Sequence, residues 1–406
     1  MTNQPSMWQR STTRRFLKWL FSWRGARRLV IGVACLITVW ALFCTEETVR
    51  GKHAWEKYRS ELQARGEQLD FKAFIPAPVP DDQNFAATPV IKSWFPKLTH
   101  DFWRDDYDRV EGKMNRGDFR HKLRSLDLDA WARAFNQTNL THTVPRGPTD
   151  PHSRAKAAPR VLEALQADEP IFAELRAARR RPYSRYPVNY DVENPFIILL
   201  PHLSSVRIIC RRLQLRACAE LAAGQSNTAL EDVKLITHMA DSLKDEPFLV
   251  SYLVRIACLQ QALQPVWEGL AEHRWSDAQL QELQVLFQQC NFVADVKHPL
   301  EAERAAGVQI VDVIRRRGIG YLINLNESGS APRVANLLGA LVPSGWLYLE
   351  QYNLCRAFQT LVDGTIDPSR RRVFPDRAKA NEREFERRTS GNPFAVAFIH
   401  PYIKHR

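Results

Sequence analysis

The longest uninterrupted apolar run lies near the start of the chain, where Leu29 to Thr45 reads LVIGVACLITVWALFCT without a charge. At about 1.5 Å per residue a helix of that run spans roughly 25 Å, near the short limit for a bilayer core. Helix-compatible residues continue through Trp55, Tyr58, Leu62 and Leu69, which predicts a helix rising straight out of the apolar segment. Pro76, Pro78 and Pro80 in FIPAPVPDDQNFAATP then force an extended stretch that lays the chain onto the helical domain. Asp81 and Asp82 are placed to cap a helix through Phe85 to Trp94. Between 100 and 150 the pattern is weak, with one short helix expected at Leu128–Phe135.

From about 155 the helical period is strong. Asp168-Glu169-Pro170 reads as a helix start with proline in the first turn. Leu199, Leu203, Val206, Cys210, Leu213, Ala217 and Leu221 recur in steps of four and three, the stripe of an amphipathic helix that Gly224 ends. Ala229, Val233, Ile236, Ala240 and Leu243 repeat the stripe, and the short connection predicts antiparallel neighbours. Pro247 opens a third helix, for which Leu249, Leu253, Ile256, Leu263, Trp267 and Leu270 read as the inward face, with a kink at Pro265. Ser276 caps a fourth helix, and a fifth runs from about 295 to Arg317. A glycine-containing region with NESGSAPR reads as a loop, followed by a helix from Trp346 to about Val362 and a charged helix in the tail.

The expected fold is all-α: an N-terminal transmembrane helix plus an extracytoplasmic domain of stacked antiparallel helical hairpins. Its divisions are 1–28 (basic cytoplasmic segment), 29–45 (transmembrane helix), 46–80 (juxtamembrane helix and Pro-rich linker), 81–365 (helical domain) and 366–406 (basic tail). Seventeen glycines in 406 residues agree with helices rather than many tight-turned strands.

Charge sets the orientation. Residues 1–28 carry seven Arg or Lys and no acid, whereas Glu46 and Glu47 come directly after the apolar run. Positive charge stays inside, so the N-terminus is expected in the cytosol of a bacterium and the body beyond its cytoplasmic membrane. Arg27 and Arg28 can lengthen the span by snorkelling, and Trp40 suits an interface. A cleaved signal peptide is the rival reading, with Val39-Trp40-Ala41 as a poor cleavage site. The formal charge of +12 is concentrated at the two ends, because the tail from 366 adds a net +5 and residues 29–365 are balanced. A nucleic-acid partner is not expected, since that would require the charge on the folded body.

PAPVPDDQNFAATP, DEPFLVSYLVRIA and VWEGLAEHRWSDAQLQEL together resemble an uncharacterised family of bacterial single-pass membrane proteins. The resemblance implies a basic start, one membrane span, a PVPDDQNFA-like strip and then helical pairs, and it carries no catalytic residue. The hairpin RLQLRACAELAAGQSNTALEDVKLITHMA also resembles one tetratricopeptide repeat, with Ala217, Gly224 and Ala229 at its small-residue positions.

Candidate chemistry is sparse. HExxH, Walker, GxSxG and zinc-finger spacings are all missing from the sequence, and no cofactor or metal is expected. His298, Glu301 and Glu303 share a helical segment but read as a solvated face. Cys210, Cys218, Cys258, Cys290 and Cys355 read as small buried hydrophobes, with a disulfide among them as the alternative. Arg255 stands out, because it is flanked by apolar residues in LVSYLVRIACL and needs solvent or an acid, with Glu220, Asp232 or Glu246 as candidates. A ligand or partner groove built from Arg207, Arg211, Tyr252, Arg255 and Trp267 is the functional version of that reading, and an inter-helix salt bridge is the structural one. Two function classes result: a membrane-anchored scaffold that binds a protein or peptide, and an envelope-acting enzyme with dispersed acids and histidines.

Overall fold

The computed structural model describes residues 23–95, 151–318, 321, 342–362, 364–367 and 370–389. They are mostly helical: α1 (Trp23–Ala64), α2 (Pro89–Lys92), α3 (Pro151–Leu165), α4 (Glu169–Ala178), α5 (His202–Ala222), α6 (Ser226–Asp241), α7 (Leu249–Ala271), α8 (Asp277–Gln288), α9 (Phe292–Asp295), α10 (Lys297–Arg317), α11 (Ser344–Val362) and α12 (Pro375–Thr389). Two short strands, β1 (Ile366–Asp367) and β2 (Arg372–Val373), pair antiparallel ahead of α12. The segment expected at Leu128–Phe135 and the NESGSAPR loop lie outside the described residues. Backbone contacts gather the chain into two compact units.

The first unit comprises 1–67, 310–357 and 387–406. Its axis is α1, a continuous helix long and apolar enough to cross a membrane. Leu36, Ile37, Val39 and Leu42 on its apolar part are all exposed. Thr38 and Thr45 each donate their hydroxyl to the carbonyl four residues back, which removes a free donor from that surface. Past Thr45 the helix is no free stalk, because Glu47, Gly51, Trp55 and Leu62 are buried. Gly51 and Gly345 let α1 and α11 touch backbone to backbone: a Cβ on Gly345 would stand 2.0 Å from the Glu47 carbonyl oxygen. The Glu47 carboxylate accepts from Trp346 Nε1 (3.2 Å) and Arg50 (2.6 Å) beside that crossing. Ile310, Val311, Val313, Ile314 and Leu347 form a small core of their own.

The second unit comprises 68–309 and 358–386. Here α5, α6 and α7 pack on one another, with α3 against α5. The stripes read for α5 and α6 are buried except for Leu199, which precedes α5 and is half-buried: Leu203, Val206, Cys210, Leu213, Ala217 and Leu221 join Ala229, Val233, Ile236, Ala240 and Leu243 within a single core. Gly224, at φ 80°, ends α5, with Gln225 N–H donating back to Glu220 O at 2.7 Å. Ser276 and Gln279 form a complete capping box on α8.

Three expectations are corrected. Asp81 and Asp82 do not cap a helix to Trp94: the chain makes a 3-10 turn at Phe85–Ala87 capped by Asn84, then the single turn of α2. Asn84 does this because its side chain also clamps residue 185, accepting from Arg185 N–H (2.8 Å) and donating to Arg185 O (2.9 Å). The inward face of α7 is not the one expected from its large residues. Ser251, Arg255, Cys258, Leu259, Ala262, Pro265 and Gly269 are buried, whereas Leu253, Leu263, Trp267 and Leu270 are exposed. Small side chains win that face because they allow close approach, as at Gly269, where a Cβ would fall 2.0 Å from the Trp275 ring nitrogen. Finally, Arg255 meets none of its three expected acids; Asp241 and Asp295 take it instead.

Candidate functional site

A shallow, open groove of about 350 Å³ lies where α5 and α7 begin. Ile198, Leu199 and Leu200 enter from the segment before α5, Leu203, Ser204 and Arg207 from its first turns, and Val250 and Val254 from α7. The sequence explains the location. The run IILLP ends in a proline that starts α5, so three apolar side chains are delivered to one helix end.

Buried polar contacts fix those two helix starts. His202, fully buried, stacks on Tyr186 at 4.1 Å between ring centres and on Phe95 at 5.3 Å. Its Nε2 lies 2.7 Å from Glu246 Oε1, and Ser251 of α7 donates its hydroxyl to the other oxygen of Glu246. Glu246 therefore ties the beginning of α5 to the beginning of α7. Tyr186 and Ser242 hydroxyls sit 2.7 Å apart, and burial pushes the Tyr186 phenol well above its ordinary range.

The five residues expected to make a groove end up in three places. Arg207 is exposed at the groove edge and, among the described residues, has no ion-pair or hydrogen-bond partner. Arg211 is half-buried one turn further along α5. Arg255 is 1% exposed and belongs to the interior: its Nη2 donates to Asp241 at 2.8 Å, its Nη1 to Asp295 at 2.8 Å, and it stands over the Phe292 ring. Tyr252 is held nearby, its hydroxyl donating to Phe292 O at 2.9 Å. Trp267, 71% exposed, lies about four turns along α7 from the groove. The inter-helix salt bridge is thus what Arg255 forms, and Arg207 alone of the five lines the groove.

A second cluster of charges centres on the buried Glu220 and Asp232, with Glu169 at its exposed edge. Arg216 reaches Glu169 (3.0 Å), Glu220 (3.2 Å) and Asp232 (3.4 Å), Arg176 pairs with Glu169, and Arg212 pairs with Asp168. Burial, with the nearby Asp232 charge, raises the Glu220 carboxyl to about 8. Burial also raises Asp232 to about 7, against the pull of Arg216 and Arg176. Both carboxyls are closed to solvent, so they join helices rather than face a substrate. His298, Glu301 and Glu303 separate: the first packs on Phe74, the second pairs with Lys297, and the third accepts from Leu249 N–H. Cys210, Cys218, Cys258 and Cys355 are buried, while Cys290 is half-buried.

Sequence reasoning missed Asp241 and Asp295, which lie at a helix end and on the single turn α9, and it assigned Glu246, in a connection, to Arg255 rather than to His202 and Ser251. No helical period links such positions to their partners. The apolar run before Pro201 was the available signal for the groove. No family model matches the chain, and none of the curated proteins or solved structures compared with it does so either.

Proposed function

We propose that the protein is a membrane-anchored helical binding module whose body stands outside the cytoplasmic membrane and holds a protein or peptide partner at the α5–α7 groove. The observation that carries this reading is Arg207. Arg216 and Arg255 in the same unit are each paired with acids, whereas Arg207 sits free beside an apolar groove. An apolar side chain with an acidic neighbour is the chemistry that groove accepts. The basic segment before α1 and the acids after its apolar run support the orientation. An envelope enzyme would need its acids in a cleft, and the two most perturbed carboxyls, Glu220 and Asp232, are shut inside the core.

A photo-crosslinking side chain at Ser204, introduced in the full-length protein in intact cells, tests the groove. A discrete adduct is expected, lost when Arg207→Glu is added, with none from a probe at Gln281 on α8. No adduct at Ser204 sinks the binding reading, and a C-terminal reporter active only in the cytosol sinks the orientation.

A further inference from the structure

Two of the buried cysteines meet. Cys210 on α5 and Cys258 on α7 are both wholly buried in the same core, and their side chains are hydrogen-bonded to each other. Helix geometry leads to the same place. α5 and α7 pack side by side with their starts held level: Leu203 and Arg207 line the groove with Val250 and Val254, and Glu246 joins His202 to Ser251. Cys210 is seven residues past Leu203 and Cys258 seven past Ser251, two turns or roughly 10 Å along each helix. Seven residues return a side chain to nearly the same face, so both thiols fall on the α5–α7 seam. The buried Tyr186 phenol is influenced by both thiols, which puts its ring beside the pair.

We infer that Cys210 and Cys258 are joined by a disulfide in the mature protein, which staples α5 to α7 two turns from the groove. The inference rests on the orientation proposed above, since disulfides persist on the outer side of a cytoplasmic membrane and are kept reduced in the cytosol. Bond formation breaks two S–H bonds and makes one S–S bond, releasing two protons. The two electrons pass to a protein disulfide of the envelope, by exchange through a mixed disulfide, and that protein leaves as a dithiol. Burial and the contact with Cys258 push the Cys210 thiol well above its ordinary range, so it is inert in the folded core. Oxidation therefore belongs to folding, while both thiols are still exposed. Sulfurs already in contact need only a small adjustment to reach about 2.05 Å. The link holds Leu203 and Arg207 beside Val250 and Val254, and so keeps the two walls of the groove together.

The test uses full-length protein from acid-quenched cells, alkylated under denaturing conditions and digested with trypsin without reductant. A linked species of Ile208–Arg211 and Ile256–Arg274 is expected, replaced by the two separate peptides after reduction. Cys258→Ala should leave Cys210 alkylated before reduction. Both peptides alkylated in the unreduced wild-type digest overturn the inference, as does either cysteine linked to a different one. A C-terminal reporter on the same chain separates the disulfide from the orientation. If it is active outside the membrane while both thiols are alkylated, the disulfide falls and the orientation stands. If it is active only in the cytosol, the orientation falls and the disulfide with it.

Discussion

Glu220 and Asp232 hold the residue-scale consequence of burying charge among arginines. Each carboxyl binds its proton more tightly in the folded chain than in the unfolded one, where it ionises near pH 4. Their contribution to stability is therefore complete below about pH 4 and is lost as pH rises through about 7 to 8. His238 works in the opposite sense over a lower range. Burial, with the Arg179 charge, depresses it to about 4, so it destabilises the fold as pH falls below its ordinary value near 6.5. Of these three groups only the carboxyls change between about pH 6.5 and 8.5, and thermal unfolding of the detergent-solubilised protein should fall across that interval. Glu220→Gln keeps the shape without the titrating proton, and Arg216 retains Glu169 and Asp232. The variant should flatten the fall and raise the midpoint at about pH 8.5 by roughly 2–4 °C. An unchanged slope would show that the cluster does not titrate in this range.

At the scale of elements, the crossing of α1 and α11 is the most sharply specified contact. Glycine inside a helix costs about 1 kcal/mol relative to alanine. Gly51 nevertheless sits mid-helix in α1, because any Cβ there would strike Gly345 O at 2.2 Å. The obstacle is backbone on both sides, so neither element can yield by a rotamer change. Gly345→Ala should force the helices apart at a cost of about 1–3 kcal/mol. Amides near Trp55 should then exchange with solvent faster, while those of α5 and α6 keep their protection. Exchange unchanged around Trp55 would mean the two helices do not meet there. Elements also differ in how far their placement could be read beforehand. In α5 and α6 the periodic apolar positions coincide with buried ones, although α5 also buries Ile209, Leu215 and Cys218 outside its stripe. α7 is apolar almost all round, and its large side chains point to the wrong side. The signal that could have found the buried side is the run of mostly small or constrained residues at Ser251, Arg255, Cys258, Ala262, Pro265 and Gly269, again in steps of four and three. Arg255 belongs to that set, and its acids come from Asp241 at the end of α6 and from Asp295 on α9, positions no local period connects.

At the scale of the whole molecule, patterning expresses some features and is silent on others. A long apolar run and a helical body are encoded in local hydrophobic order, and both are present. The return of α11 onto the base of α1 is encoded in two glycines, Gly51 and Gly345, far apart in the chain, for which the sequence holds no local cue. That return bears on the fate of the apolar segment. A signal peptidase cut near Ala41 would divide α1 just ahead of the turns that bury Glu47, Gly51 and Trp55. Such a cut leaves those buried turns in place, so the packing is compatible with an anchor and with a leader, and the fate of the apolar half is a matter for experiment. Leu36, Ile37, Val39 and Leu42 are all more than 60% exposed, so among the described residues that half has an uncovered apolar surface, which a bilayer would cover. An uncleaved chain must then resist extraction by alkaline carbonate and retain an epitope fused to its N-terminus. Val33→Arg with Ile37→Arg should release it into the soluble fraction, since a charge near mid-bilayer costs about 2.5–3.5 kcal/mol on insertion scales. A wild-type chain already in the supernatant, or one that has lost the epitope, would identify the segment as a leader and leave α11 packed on a helix with no membrane half.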